Sequence, residues 1–191
     1  MKKIIKILAQ RIFSILWRLC IPFELLKLKL RFKDYQVSHL SKGNGEMFKV
    51  ILRSPDKQSL LLKKDNRLTE FWSYLNSHFH ISQNKPTHQN FQDKADVLES
   101  ILQKSELKKL TLLVSVDRKK KEYFQQYRED AIDLNKQQYK HENKKIKEIL
   151  GLFLRHGMMS YDHTNSNFIY IKDALLMVDL ESLELTHKVI S

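Results

Sequence analysis

Residues that interrupt regular structure are scarce in this sequence, which has only 4 glycines and 3 prolines among 191 residues. Such a composition excludes collagen-like chains and chains made largely of flexible linker. The single cysteine, Cys20, excludes an intramolecular disulfide framework and a cysteine-based zinc site. Apolar residues make up 42% and charged residues 29%, which is typical of a globular protein with one compact domain.

Acidic residues are almost absent from the first 33 positions, which hold nine lysines and arginines but only one acid, Glu24. This segment carries +8 of the formal net charge of +12, so the other 158 residues carry only +4. The basicity therefore belongs to one end of the chain. Nucleic acid is disfavoured as a partner for this reason, and because no aromatic–basic recognition motif appears.

A long uninterrupted apolar run is also missing. Residues 1–21 predict an amphipathic helix, but Arg11 and Arg18 disfavour a membrane-spanning one, and no small-residue cleavage site supports a secretory signal. Two interpretations stay open: a helix lying on an anionic membrane surface, and a helix packed on its own domain. The apolar half contains Ile4, Ile5, Leu8, Ile12, Ile15, Leu16 and Leu19; the basic half contains Lys2, Lys3, Lys6, Arg11 and Arg18, with Ile7, Phe13 and Trp17 falling on the polar side.

Hydrophobic periodicity predicts the remaining elements. Pro22 is expected to end or kink the first helix. The expected elements after it are a strand or second surface segment at 25–33, two or three antiparallel strands in 36–64, helices at 69–79 and 94–109, a buried strand at 110–116, a long helical stretch over 118–156 that forms two helices broken near 133–143 and ends at Gly157, and a β-hairpin formed by 167–171 and 174–178. These elements define an α+β fold in which a small antiparallel N-terminal sheet precedes a mainly helical part with a hairpin.

Two carboxylates and an amide are expected to gather around this hairpin. Asp162 follows the helix that ends at Gly157, Asn167 stands five residues later, and Asp179 ends the second hairpin strand. Phosphoryl transfer needs such a set, since one carboxylate orients a hydroxyl and accepts its proton while an Asn and an Asp hold Mg²⁺ against the phosphates.

This spacing resembles the catalytic half of the protein-kinase-like superfamily. The resemblance implies a reduced kinase-like fold that uses ATP and Mg²⁺. It implies that Asp162 is the catalytic residue and that Asn167 and Asp179 bind the metal.

The N-terminal part resembles the nucleotide lobe of the same superfamily. Gly43 and Gly45 resemble a reduced phosphate-covering loop, and Lys63 resembles the phosphate-pairing lysine of the third strand. Glu70 is the candidate ion-pair partner of that lysine. The implied organisation is a basic amphipathic segment at 1–33 and one kinase-like domain at 34–191, whose nucleotide-lobe-like part is 34–116 and whose catalytic-loop part is 117–191.

The segment from Gly43 to Lys63 is similar to small bacterial YrbL-like proteins, which are grouped with lipopolysaccharide-core sugar kinases. This resemblance implies a cytoplasmic phosphotransferase on the inner membrane face, with a sugar or lipid-linked sugar as acceptor and residues 1–21 on the anionic lipid. Ser160 and Tyr161 replace the His-Arg pair that precedes the catalytic aspartate of protein kinases. A catalytically inactive kinase-like binding or regulatory module is therefore the alternative.

Overall fold

A computed structural model describes residues 2–40, 47–56, 58–65, 90–134, 142–161 and 164–186. These residues contain helices and antiparallel sheets, so the predicted α+β class is confirmed. The helix expected at 69–79 lies outside the described residues. In chain order the elements are α1 (Lys2–Arg31), β1 (Gln36–His39), β2 (Phe48–Arg53), β3 (Ser59–Lys64), α2 (Phe91–Gln103), α3 (Ser105–Lys109), β4 (Leu113–Asp117), β5 (Glu122–Gln126), β6 (Ile132–Asp133), α4 (Asn143–Arg155), β7 (Met158–Ser160), β8 (Phe168–Ile171), β9 (Ala174–Met177) and β10 (Leu183–Leu185).

The chain divides into two compact units. Unit 1 consists of Met1–Asn90 and Asp117–Tyr127, and unit 2 consists of Phe91–Val116 and Arg128–Ser191. Strands β1 to β3 confirm the antiparallel strands expected in 36–64. They belong to a five-stranded sheet with the order β1-β2-β3-β5-β4, in which β5 pairs antiparallel with β3.

Helix α1 packs one of its faces on this sheet, as the second interpretation of the N-terminal segment expects. Phe13 and Leu28 are buried, and the Trp17 ring lies edge-on to Phe48 of β2 with 5.9 Å between centroids. Burying an aliphatic or aromatic side chain of this size contributes about 1.5–3 kcal/mol. The residues that looked like interruptions of the polar half, Phe13 and Trp17, therefore form the inner face of α1.

The opposite side of α1 carries a second set of apolar side chains, which are exposed. This set includes every member of the predicted apolar half whose side chain the structure describes. We call it the outer stripe; it consists of Leu8, Ile12, Ile15, Leu16, Leu19, Phe23, Leu26 and Leu30. Within the described residues, no helix combines the length and the apolarity that crossing a bilayer requires.

Of the two alternatives for 25–33, the strand is wrong, because α1 continues through Pro22 to Arg31. Most of these residues lie at the surface, but as part of the same helix. Proline removes one helical hydrogen bond and crowds the preceding turn. Contacts on the sheet side outweigh this cost, since Ile21 and Leu25 pack against the buried Leu28 cluster. The alternation of apolar and basic residues after Pro22 is also compatible with a helix that is apolar on two sides.

Strand β3 divides its side chains between the two faces of the sheet. Leu62 is opposite Val50 of β2 and packs in the cluster that includes Leu28 of α1. Lys63 is opposite Tyr123 of β5 and lies on the other face, because successive side chains of a strand alternate. We call the face that carries Leu62 the inner face of the sheet, and the face that carries Lys63 the far face.

Two ion pairs attach α1 to the sheet. Arg31 donates two hydrogen bonds to the carboxylate of Glu122, at 2.8 and 2.6 Å, and Glu122 is fully buried. Glu24 is also buried and accepts from Lys27 at 3.1 Å and from Lys64 of β3 at 3.5 Å. The bidentate pair with Arg31 keeps a carboxylate in the core with its charge compensated.

Replacing Arg31 by methionine is expected to lower the free energy of unfolding by about 3 kcal/mol, because Glu122 then stays buried without its partner. The matched control is Lys27→Met, which removes a 60% exposed ammonium and should cost less than about 1 kcal/mol. Urea unfolding of both variants gives the comparison, and Arg31→Met/Glu122→Met should recover part of the loss. Equal effects of the two single variants would contradict the assigned role of Arg31.

His39 makes unit 1 sensitive to acid. Its ring stacks on Phe48 at 5.1 Å, and burial lowers the pKa of the imidazole from its usual 6.5. The unfolded chain therefore takes up a proton before the folded chain does, and stability falls as pH drops below 6.5. Between about pH 7.5 and about pH 5.5, we expect the free energy of unfolding to decrease less for His39→Phe than for the unchanged protein. If the variant and the unchanged protein lose equal stability between the two pH values, His39 contributes nothing to the sensitivity to acid.

Unit 2 is built from helices around two small sheets. The sheets have the orders β6-β8-β9 and β10-β7, and all pairings are antiparallel. Helix α2 buries one side against β10, and the chain after α3 joins β9 through a bond from the Met177 amide to the Leu110 carbonyl, 2.9 Å. The buried side of α2 consists of Phe91, Ala95, Val97, Leu98 and Ile101.

The hairpin prediction is confirmed by β8 and β9, which pair from Phe168 with Met177 to Ile171 with Ala174. The helical end at Gly157 is also confirmed: α4 stops at Arg155, and Gly157 has a φ of 74°, which glycine adopts without steric cost. The Gly157 carbonyl then accepts a hydrogen bond from the Thr186 amide at 2.9 Å, which draws the C-terminal end of the described chain to this turn.

Three other expectations need correction. The helix expected over 94–109 is two helices, α2 and α3, and the strand expected over 110–116 begins only at Leu113. Of the two helices expected in 118–156, the first is wrong, because β5 and β6 form instead, and the second is present as α4. The basic run 118–121 makes a tight turn with Lys121 at a φ of 53°, and the β5 residues that follow pair with β3.

Candidate active site

The segment before the candidate residue Asp162 consists of β7 and Tyr161. Tyr161, directly after this strand, is anchored twice: its amide donates to the Ser182 carbonyl at 3.0 Å and its hydroxyl donates to the Glu181 carbonyl at 2.6 Å. The neighbouring Ser160 hydroxyl donates to the Ser182 hydroxyl at 3.2 Å. The residue before Asp162 is therefore fixed to the segment that follows Asp179.

Asn167 and Asp179 meet at the open end of the hairpin. The Asn167 carbonyl accepts hydrogen bonds from the amides of Val178 and Asp179, at 2.8 and 3.5 Å. Asn167 is 2% exposed and ends a short 3-10 turn, whereas Asp179 is half-buried and precedes a second 3-10 turn. The hairpin thus brings together the two residues that the sequence proposed as metal ligands.

Bonds within the chain hold this end of the hairpin in place. The Asp179 carbonyl accepts from the Ser182 hydroxyl at 2.9 Å, and the same hydroxyl receives the bond from Ser160. On the other side, the Asn167 amide donates to the Thr164 carbonyl at 3.1 Å. Tyr161 and Thr164, the described residues on either side of Asp162 in the sequence, are therefore joined to the segments that carry Asp179 and Asn167.

The donor chemistry at this position suits a hard divalent cation. An amide oxygen and a carboxylate oxygen are the ligand types that Mg²⁺ prefers, and Mg²⁺ needs only one or two protein carboxylates beside phosphate and water. No cluster of three or more histidine, cysteine, aspartate or glutamate side chains that could hold a metal occurs in the described part of the chain. A site made from Asn167 and Asp179 does not require one.

Lys63 occupies the far face of the unit 1 sheet. Its side chain is only 3% exposed, and its ammonium lies 5.5 Å from the centre of the Tyr123 ring. Asp65 follows two residues later on the same side and is also buried. A buried lysine on the third strand is the position that the sequence proposed for pairing with phosphate.

Four proposed site residues lie outside the described residues, namely Gly43, Gly45, Glu70 and Asp162. Their roles stay predictions, as does the convergence of Lys63 with Asn167 and Asp179 in one cleft. Sequence reasoning missed the anchoring roles of Tyr161 and Ser182. The departure from His-Arg before Asp162 was the available signal for the first of these.

No protein-family model matches the chain, and no curated protein matches it. Among solved structures, the chain is similar to the complex of Rv3197 with erythromycin from Mycobacterium tuberculosis, with a TM-score of 0.47 and 11% identity. The match covers 83% of this chain and 49% of that chain, so this chain spans about half its length. A likeness at this level assigns no family and no function.

Tyr161→Phe is expected to lower the free energy of unfolding by about 1 kcal/mol, because it removes the hydrogen bond to the Glu181 carbonyl while keeping the ring. Tyr35→Phe is the control, since the Tyr35 ring packs against Phe32 but its hydroxyl bonds to no described residue. Equilibrium unfolding in urea measures both. A loss for Tyr161→Phe no larger than for the control would contradict the anchoring of this segment.

Proposed function

We propose that this protein is an ATP- and Mg²⁺-dependent phosphotransferase of the kinase-like type, acting on a sugar or lipid-linked, lipopolysaccharide-related acceptor at the cytoplasmic face of the membrane. The observation that carries the proposal is the pair of hydrogen bonds from Val178 and Asp179 to the Asn167 carbonyl. These bonds bring the backbones of Asn167 and Asp179 together, which supports a shared role of the Asn167 side-chain amide and the Asp179 carboxylate in holding a cation. Asp162 precedes both residues in the sequence and would supply the base.

Each residue has a definite task in this proposal. Asn167 and Asp179 hold the metal, which when bound would draw the nucleotide phosphates together and neutralise their charge. Asp162 orients the acceptor hydroxyl and takes its proton. Lys63 binds the phosphates through its ammonium; its burial keeps water away and strengthens that electrostatic contact.

In unit 1, the sheet and its buried lysine support the proposed nucleotide site. The resemblance requires a small antiparallel sheet with a lysine on its third strand, and β3 carries Lys63 on the face that α1 leaves uncovered by its own packing. Glu70, the partner that the resemblance implies, and the loop with Gly43 and Gly45 complete the proposed nucleotide site.

Nucleotide binding by the full chain tests this proposal. Calorimetric titration should give Mg²⁺-dependent ATP binding that Asp179→Asn weakens by about tenfold or more, because a charged ligand is lost. Lys63→Met should weaken ATP binding to a similar degree. The matched control is Lys64→Met, which alters the next residue of the same strand on the inner face and should leave binding unchanged. ATP binding that does not depend on Mg²⁺ and that neither Asp179→Asn nor Lys63→Met weakens would overturn the proposal.

A non-catalytic kinase-like module is the second candidate, and one observation favours it. Tyr161 and Ser160 stand where protein kinases have Arg and His, and both side chains bond to the segment after Asp179. Transfer of phosphate from ATP to lipopolysaccharide-core sugars separates the two candidates. Turnover that Asp162→Asn abolishes while ATP still binds supports the enzyme, and binding without turnover on any of these acceptors supports the module.

A further inference from the structure

Helix α1 presents two apolar faces, and packing on the sheet uses only one. Twelve large apolar side chains stand exposed in the described part of the chain, and nine of them lie on α1. The exposed fractions in the outer stripe range from 40% for Leu16 to 69% for Leu19. Such a concentration of apolar surface on one element marks an interaction surface.

The charges beside the outer stripe all have one sign. At 100° per residue, Arg11, Arg18 and Lys29 follow one edge of the stripe and Lys27 follows the other. All four are exposed, whereas Glu24, the single acid of α1, is buried on the side that faces the sheet. The stripe is therefore an apolar band between basic borders, which complements an anionic surface with an apolar interior.

A second copy of the chain is the other occupant to consider. Along the outer stripe from Ile12 to Leu30, the spacing alternates between four and three residues, as in a coiled-coil seam. The positions are Ile12, Leu16, Leu19, Phe23, Leu26 and Leu30. Helix pairing in either direction would, however, bring basic borders together, and the single acid of α1, Glu24, is buried on the sheet side. The charge pattern therefore favours lipid over self-association.

We propose that the outer stripe docks unit 1 on the surface of an anionic lipid bilayer, with α1 lying in the plane of the interface. From Leu8 to Leu30 the stripe extends about 33 Å along the helix, so the contact is long and shallow. Lys27, Arg18 and Lys29 meet the lipid phosphates while the stripe enters the acyl boundary.

This docking fixes the direction of the far face. The sheet lies on the side of α1 opposite the stripe, and Lys63 lies on the face of that sheet which points away from α1. The order from the bilayer is therefore lipid, α1, sheet and Lys63. The inference rests on the proposed function only where Lys63 is taken to bind phosphate; the lipid docking itself does not.

Vesicle flotation of the full chain, without nucleotide or Mg²⁺, tests the docking. The chain should float with phosphatidylcholine vesicles that contain phosphatidylglycerol, and Leu19→Glu should weaken this binding by about tenfold or more, since an exposed apolar anchor becomes an anion. The matched control is Leu154→Glu, which changes a leucine that is 55% exposed on α4. Equal binding by both variants, or no binding by the unchanged chain, would overturn the proposal.

The basic borders have their own test. Arg18→Gln/Lys29→Gln should weaken binding about fivefold per charge, and the difference from the unchanged chain should shrink at high salt. Lys144→Gln/Lys147→Gln removes two exposed lysines of α4 and should have no such effect. Binding that is equally strong on pure phosphatidylcholine would contradict the role of the borders.

Two further measurements determine whether the outer stripe contacts lipid or a second copy of the chain, and how unit 1 is oriented on the bilayer. Light scattering without vesicles should give a monomer, whereas a dimer that Leu19→Glu dissociates would assign the stripe to a second copy instead.

With Cys20→Ser as background, an environment-sensitive dye at Leu26→Cys should shift to the blue on vesicles, and the same dye at Asp56→Cys, in an exposed turn of unit 1, should not. A shift at both positions would overturn the proposed orientation. Failure to bind ATP would leave all these outcomes unchanged, because no assay contains nucleotide.

Discussion

Successive side chains of β3 point to opposite faces of the sheet, and both the core and the candidate lysine of unit 1 depend on this alternation. Leu60 and Leu62 extend toward α1 and join the cluster around Leu28. Lys63, between Leu62 and Lys64, is carried to the far face by the same backbone geometry. A shift of β3 by one residue would place the lysine in the apolar cluster and move the leucines to the far face, so the leucines that stabilise the sheet also fix the position of the lysine.

In unit 2 the candidate residues lie on separate segments of the chain, and the turns between these segments bring them together. The hairpin β8–β9 does this over a short distance: pairing of Phe168 with Met177 leaves Asn167 and Val178 as the next pair, and the Asn167 carbonyl receives two amides. The pairing of β7 with β10 then fixes the chain before Asp162 to the chain after Asp179. Two short antiparallel pairings and a few hydroxyl bonds thus set the geometry of the loop cluster.

The sequence predicted the local elements well and the non-local ones poorly. The β8–β9 hairpin was predictable because two apolar runs are separated by Lys172 and Asp173 alone, so all of its interactions are close in sequence. Strand β5 was missed because its pairing partner, β3, lies about sixty residues earlier and its own residues Gln125 and Gln126 hide the alternation. Tertiary pairing overrode a local pattern that resembled a helix.

The inner face of α1 could not be predicted for a different physical reason. Helical periodicity located an apolar half correctly but could not tell whether that half faces the sheet or solvent, since a single helix wheel contains no information about its neighbour. The inward side was marked by large aromatic residues, Phe13 and Trp17, and these looked like interruptions because the face they form is narrower and mixed with Cys20 and Glu24. Aromatic side chains bury more area each than leucine does, so a few of them suffice to hold a helix on a sheet.

Burial of the single acid of α1 explains why the charges described on the solvent side of this helix are all positive. Glu24 faces the sheet, where it accepts hydrogen bonds from Lys27 and Lys64, and a carboxylate there is compensated by these two ammonium groups. Arg31 in turn is directed to the buried Glu122 of β5. The acids that stabilise α1 thus lie on the sheet side, so the described cations on its solvent side, Arg11, Arg18 and Lys29, have no acid of α1 beside them. The burial that holds α1 in place is therefore also what leaves its outer surface purely apolar and basic.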